Sequence, residues 1–151
     1  DYKEMIPITE LLLYEAARAQ VVEEVLKPNL RKKGLIFFDR FYHSTFAYQG
    51  FGRGFSNHTI KYLNELVTQG ITPDLTLIFD VPVDVALSRV GTDLDRMEDQ
   101  DREFHERVRE GYLHLVHLLP DENIRVINAN RTVENVFEDT KKSIEKILSS
   151  W

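Results

Sequence analysis

Tyr14 and Arg18 lie four positions apart, so on a helix they share one face. An aromatic ring with a guanidinium one turn later can stack on a planar base and donate hydrogen bonds to its edge. From periodicity alone, the same pair equally suits a core tyrosine beside a solvated arginine. A second group is Asp39-Arg40, which ends the apolar run Leu35-Ile36-Phe37-Phe38 and opens the polar, aromatic and glycine-bearing stretch Phe41–Gly50. Open α/β sheets build their ligand sites at the carboxyl ends of their strands. An acid beside a base at such a tip can address a metal ion and a phosphate together, or simply close a turn as an ion pair.

These side chains need elements to hold them. From about Thr9 to Lys33 the sequence reads as a helix, with Leu12, Leu13, Ala16, Ala17, Val21, Val25 and Leu26 at three- and four-residue spacing. Pro28 predicts a kink or break near Leu26–Pro28. Gly34 stops the helix, and Leu35–Phe38 reads as a strand. Ser56 caps a helix running to Gln69, with Gly70 as its stop. Leu75–Phe79 is a second strand, ending in Asp80, and a short helix from Asp84 to Val90 follows Pro82. Gly91–Asp101 reads as a charged, mobile loop, flanked or occupied by Arg89, Arg96 and Arg102. A helix over Arg102–Leu119 has Phe104, Val108, Leu115, Leu118 and Leu119 on one side. Ile124–Ile127 is a third strand, and Thr132 caps a final helix towards Leu148. Strands separated by helices imply crossovers and a parallel sheet.

Composition narrows the chemistry. The 151 residues carry a net charge of −6 with 42% hydrophobic and 29% charged residues, ordinary for a globular domain. General attraction to nucleic acid or anionic lipid is therefore excluded, and an anion must be caught by local arginines. Without cysteine, disulfides, thiolate catalysis and cysteine–zinc sites drop out. No apolar run approaches the roughly 18 residues of a membrane span. His114 and His117 share a helix face without a third metal ligand nearby. Gly50-Phe51-Gly52-Arg53-Gly54 lacks the Lys-Ser/Thr ending of a phosphate cradle and reads as a flexible turn.

Four blocks carry a family resemblance, in one order over nearly the whole chain: Leu12–Gln20; Asp39–Gly50 with Gly52-Arg53-Gly54; Pro73–Pro82; and Asp95-Arg96-Met97-Glu98 followed by Phe104 and Arg107–Leu113. Together they resemble the thymidylate kinases. The resemblance implies an α/β fold, a parallel β-sheet flanked by helices, of the P-loop nucleoside monophosphate kinase type. Residues 1–151 would form one domain with a LID at about 91–101. The implied reaction moves the γ-phosphoryl of Mg-ATP to dTMP, giving dTDP and ADP. By the same carry-over Tyr14, where the family usually has Phe, packs on thymine and Arg18 meets a thymine carbonyl. Thr45 and Gln49 face the thymine, with Ser44 adjacent. Arg40 binds the dTMP phosphate, and Asp39 lies near the Mg²⁺ and the transferred group. Arg89 packs on adenine and Arg96 reaches the phosphates, so Asp39, Arg40 and Arg96 form the implied catalytic set. Arg102 reads as a solvated loop residue. Asn130 belongs to the adenine-side loop Asn128–Arg131, where Asn128 stands in place of a common Asp. The resemblance further implies a cytoplasmic homodimer that binds neither nucleic acid nor membrane.

The G-x-x-x-x-G-K-[ST] signature and a strand before the first helix are absent from residues 1–151. These residues taken literally are accordingly expected not to form a competent kinase, whereas the complete parent is. Three alternatives stay open: another nucleotide or deoxynucleoside kinase, a truncated non-catalytic nucleotide-binding module, or a stable fragment.

Overall fold

In the computed structural model, residues 4–32, 34–91 and 94–149 are described. They gather into two units, Asp1–Ile71 and Thr72–Trp151.

The first unit is built on α1 (Pro7–Val21), which begins with Pro at its first turn, where a missing N–H costs nothing. The predicted break at Pro28 does not occur. Instead the helix widens into a π-helical segment, Val22–Leu26, and continues as α2 (Lys27–Leu30). The Lys27 N–H reaches back to the Val22 carbonyl, and the Asn29 side chain donates to the Val25 carbonyl at 2.7 Å. The i→i+5 spacing accommodates a proline ring that an α-helical turn would meet at the preceding carbonyls. The predicted end at Lys33 lies outside the described residues.

The burial of α1 separates its two faces. Leu12 and Leu13 are 51% and 53% exposed, and Ala16, Ala17, Val21 and Val25 are exposed too. The covered face carries Glu10, Leu11 and Glu15, continued by Val22 and Leu26. It is covered because two of its carboxylates take hydrogen bonds from the segment after Arg40. The expected strand Leu35–Phe38 is also not formed. These residues run without a ladder partner among the described residues, and Phe37 is 74% exposed. A strand exists only where its N–H and C=O groups are paired.

After Arg40 the chain folds into α3 (His43–Thr45) and a second π-helical segment, Phe46–Gly52. Gly50–Gly54 is thus not the expected flexible turn. Gly50 and Gly52 are buried within that segment, and it closes with Arg53 N–H on the Tyr48 carbonyl at 2.9 Å and Gly54 N–H on the Gly50 carbonyl at 2.8 Å. α4 (Asn57–Thr68) follows and packs on α1. The Ser56 hydroxyl accepts the Thr59 N–H at 3.1 Å as its N-cap. Left-handed Gln69 (φ 55°) and Gly70 (φ 74°) stop it. Leu11, Val22, Phe46, Ala47 and Ile60 are all at most 1% exposed and form the core.

In the second unit β1 (Thr76–Asp80) pairs in parallel with β2 (Ile124–Asn128), from Thr76 opposite Ile124 to Asp80 opposite Asn128. Parallel strands need a crossover, supplied here by α5 (Val83–Arg89) and α6 (Arg102–Leu118). Asp101 caps α6 by accepting the Phe104 N–H at 2.6 Å. Its predicted apolar face holds, with Phe104, Val108, Leu115 and Leu119 buried and Leu118 partly covered. α7 (Val133–Leu148) is capped by Thr132, whose hydroxyl accepts the Asn135 N–H at 3.4 Å. Within Gly91–Asp101 the Asp95–Glu98 stretch is an ordered reciprocal turn rather than a featureless loop. The Asp95 carboxylate accepts the Met97 and Glu98 N–H groups at 2.7 and 2.8 Å, and Glu98 accepts the Asp95 N–H at 3.0 Å.

Two outcomes follow from these contacts. Glu10 is 1% exposed and ion-paired to Arg53 at 3.1 Å. Replacing Arg53 by Met should cost about 3–5 kcal/mol by stranding a buried charge, read as a lowered midpoint in urea unfolding. On the surface, hydrogen bonds from Arg102 at 2.9 and 3.1 Å hold the Asp84 carboxyl below its ordinary value. A depressed carboxyl contributes stability above its unfolded pKa and loses it as pH falls through the folded one. An NMR titration should place the Asp84 midpoint below the usual Asp value, and Arg102→Ala should return it there.

Candidate active site

In the first unit, Arg18, Thr45 and Gln49 are tied to the covered face of α1, whereas Tyr14, Asp39 and Arg40 are exposed. Arg18 lies one turn beyond Glu15 and donates through Nη1 to Glu15 Oε1 and, at 3.1 Å, to Asn64 Oδ1 of α4. Asn64 is itself steadied by donating to the Tyr42 carbonyl at 3.5 Å. Thr45 donates its hydroxyl to the same Glu15 Oε1 at 3.0 Å. One carboxylate oxygen therefore joins Arg18 to Thr45. Nε and Nη2 of Arg18 have no partner among the described residues.

One turn earlier Glu10 repeats the pattern. Its Oε1 accepts from Gln49 Nε2 at 2.7 Å, and its carboxylate takes Arg53 at 3.3 and 3.1 Å. Thr45 and Gln49 are buried, at 1% and 2% exposure, whereas Tyr14 is 46% exposed on the neighbouring line of the helix. Charged hydrogen bonds in so dry a place are stronger than their exposed counterparts.

Arg40 sits at φ 64°, a left-handed conformation that costs a non-glycine residue about 1–2 kcal/mol. Such strain persists where the surroundings over-determine it, often at ligand sites. The exposed Arg40 guanidinium lies 5.5 Å from the Tyr48 ring centroid and 3.5 Å from its hydroxyl. Next to it the aromatic series Phe38–Phe41–Tyr42–His43 has successive ring centroids 5.3, 4.9 and 4.3 Å apart, which steadies the chain through Asp39 and Arg40. Asp39 is exposed and Ser44 half-buried. Mg²⁺ keeps most of its waters and is usually held by one or two carboxylates together with phosphates. Asp39 fits that demand as an exposed carboxylate beside a cationic side chain.

In the second unit, Arg89 at the end of α5 donates to the Ala129 carbonyl at 3.4 Å. This brings it to the turn after β2, where Asn128 accepts the Asn130 N–H at 2.9 Å. Arg89 and Asn130 are thus neighbours. Arg96 sits in the Asp95–Glu98 turn, with Nη2 3.7 Å from the Met97 sulfur. Arg102 is held by Asp84 and Glu106, so it belongs to the scaffold. Asp80 at the tip of β1 binds Arg109 of α6 through a bidentate pair of 2.7 and 2.9 Å. That hydrogen bonding keeps the Arg109 pKa above its ordinary value despite partial burial. An open cavity of about 550 Å³ is lined by Asp84, Arg102, Glu106, Arg109, His114 and His117 among others. None of Arg89, Arg96 and Asn130 lines it. No group of three His, Asp or Glu among the described residues is placed to hold a metal.

Glu10, Glu15, Arg53 and Asn64 were not singled out from sequence. The available signal was the 10–15–18 pattern of charges running along the face opposite the exposed apolar stripe of α1.

A family model described as thymidylate kinase matches residues 1–140. The thymidylate kinase of Kosmotoga olearia is 47% identical over 144 residues, covering 94% of this chain and 68% of its own length. That of Caldanaerobacter subterraneus subsp. tengcongensis is 41% identical, with 95% and 69% covered. That of Carboxydothermus hydrogenoformans is 42% identical, with 93% and 69% covered. The chain belongs to the thymidylate kinase family, of the P-loop nucleoside monophosphate kinase fold.

Proposed function

We propose that this protein transfers the γ-phosphoryl of Mg-ATP to dTMP, with acceptor recognition in the first unit and ATP contacts in the second. The observation that carries the proposal is the convergence of Arg18 and Thr45 on Glu15, with Gln49 held one turn away on Glu10. A half-exposed Tyr14 ring beside a guanidinium with free donors suits a flat base bearing a carbonyl. In this reading Tyr14 stacks on thymine and Arg18 donates to its carbonyl, with Ser44, Thr45 and Gln49 around the base. Arg40 takes the acceptor phosphate, where an exposed guanidinium pairs well with phosphate oxygens. Arg89 and Asn130 bracket adenine.

Phosphoryl transfer depends on positioning and charge neutralisation. Asp39 is the carboxylate that would help hold Mg²⁺, which when bound with ATP neutralises the charge on the phosphates. Arg40 orients the acceptor phosphate, and Arg96, on its ordered turn, supplies positive charge on the donor side. The exposed Leu12, Leu13, Val21 and Val25 serve as the face of a homodimer, and a cytoplasmic location follows from free nucleotides as substrates. No described helix is long and apolar enough to cross a membrane. Residues 1–151 contain no G-x-x-x-x-G-K-[ST] segment. Loss of one preorganised anion donor costs about 10²–10³ in rate, so these residues by themselves should bind dTMP without turning it over.

Steady-state assays of the full-length protein at saturating ATP should give strong preference for dTMP over dCMP and dAMP; equal turnover of the three would sink the assignment. The polypeptide of residues 1–151 should give a calorimetric dTMP isotherm and no dTDP. For the dimer, Leu12→Glu combined with Val25→Glu should halve the mass in light scattering; an unchanged mass refutes this face.

A further inference from the structure

The geometry points to Glu15, together with Asn64, as a positioning residue that sets how strongly the site prefers a 4-oxo over a 4-amino pyrimidine, a role that rests on the base-pocket reading above. The Nη1 corner of Arg18 is held twice, by Glu15 Oε1 and by Asn64 Oδ1 at 3.1 Å. The acceptors are fixed in turn. Asn64 is 4% exposed and donates to the Tyr42 carbonyl, and Glu15 is 3% exposed and receives Thr45. The remaining donors of Arg18, at Nε and Nη2, are left for a ligand.

A guanidinium has a rigid fork of donors on a long flexible stem. Unless the stem is held, ordering it must be paid from ligand binding. Held as it is here, the fork offers only donors to the base edge. A carbonyl at that edge accepts them, whereas an amino group meets donor with donor and leaves buried groups unpaired. An unheld arginine would swing away from the amino group, and the preference would shrink. Oε2 of Glu15 is buried with no hydrogen-bond partner among the described residues.

The test is a double-mutant cycle on the full-length protein, reading dTMP and dCMP affinity by calorimetry. Glu15→Gln should weaken dTMP about tenfold and narrow the dTMP-to-dCMP preference, the size of coupling expected for residues in one network. In an Arg18→Met background the same change should add less than about twofold. In turnover assays the loss should fall on KM for dTMP, with kcat at saturating dTMP and KM for ATP little changed. A Glu15→Gln penalty that is absent, or equally large without Arg18, overturns the inference. If Arg18→Met leaves dTMP affinity unchanged, the base-pocket reading itself fails, a separately recognisable result. Should Glu15→Gln lose its fold by circular dichroism, Asn64→Ala in the same cycle decides by the same criteria.

Discussion

Burial of the Glu10 and Glu15 carboxylates on the inner face of α1 is the constraint on which the first unit depends. Taking a carboxylate out of water costs several kcal/mol unless charge and hydrogen bonds replace the lost hydration. The replacements come from elsewhere in the first unit: Gln49 and Arg53 on Glu10, Thr45 and Arg18 on Glu15. Each donor that answers a carboxylate also fixes the piece of chain that carries it. The Thr45–Arg53 segment is therefore tied to α1 at two points one helical turn apart, and Asn64 of α4 joins through Arg18. Apolar packing of Leu11, Phe46 and Ile60 supplies the burial; the carboxylates supply the register.

That division of labour shows in the local geometry. Thr45, Gln49 and Arg53, spaced four apart, fall on one side of the segment after His43 and reach the two carboxylates of α1. The segment is π-helical over Phe46–Gly52, and such segments recur at functional sites. Arg40 shows the same logic in the backbone. Its left-handed φ is offset by the aromatic series beside it and by the Tyr48 ring under its guanidinium.

Local signals were the legible part of the fold. Ser56 and Thr132 precede their helices and cap them through their own side chains, because a cap needs only residues three positions away. The β1 and β2 runs were readable because each is short, apolar and bounded. What stayed hidden depended on partners distant in sequence. The apolar stripe of α1 was legible as a stripe, yet helical periodicity cannot say which of two faces a neighbour will cover. Two glutamates on the other face were covered because their donors lie 30 to 43 residues away. The Leu35–Phe38 run had strand chemistry but found no ladder among the described residues, so its composition alone could not make it a strand. On the site itself, Arg18, Thr45 and Gln49 were singled out through the family resemblance, whereas Glu15 and Asn64 were not singled out, because their partners Thr45 and Arg18 lie up to 46 residues away.

On the proposed reading of Arg18 as a base-facing residue, recognition would need residues that never touch the base. A free arginine can hydrogen-bond almost any edge it reaches, because its long stem lets it follow the acceptor. Discrimination needs the opposite property, a donor array that does not move when the wrong edge arrives. Immobility cannot come from the ligand-facing atoms, since those must remain open. It has to be imposed on the far corner of the guanidinium, which is where Glu15 and Asn64 hold it. Oε2 of Glu15 has no hydrogen-bond partner among the described residues. In the proposed base pocket, affinity would rest on the exposed Tyr14 ring and the open donors of Arg18, and selectivity on the Glu15 and Asn64 contacts behind them.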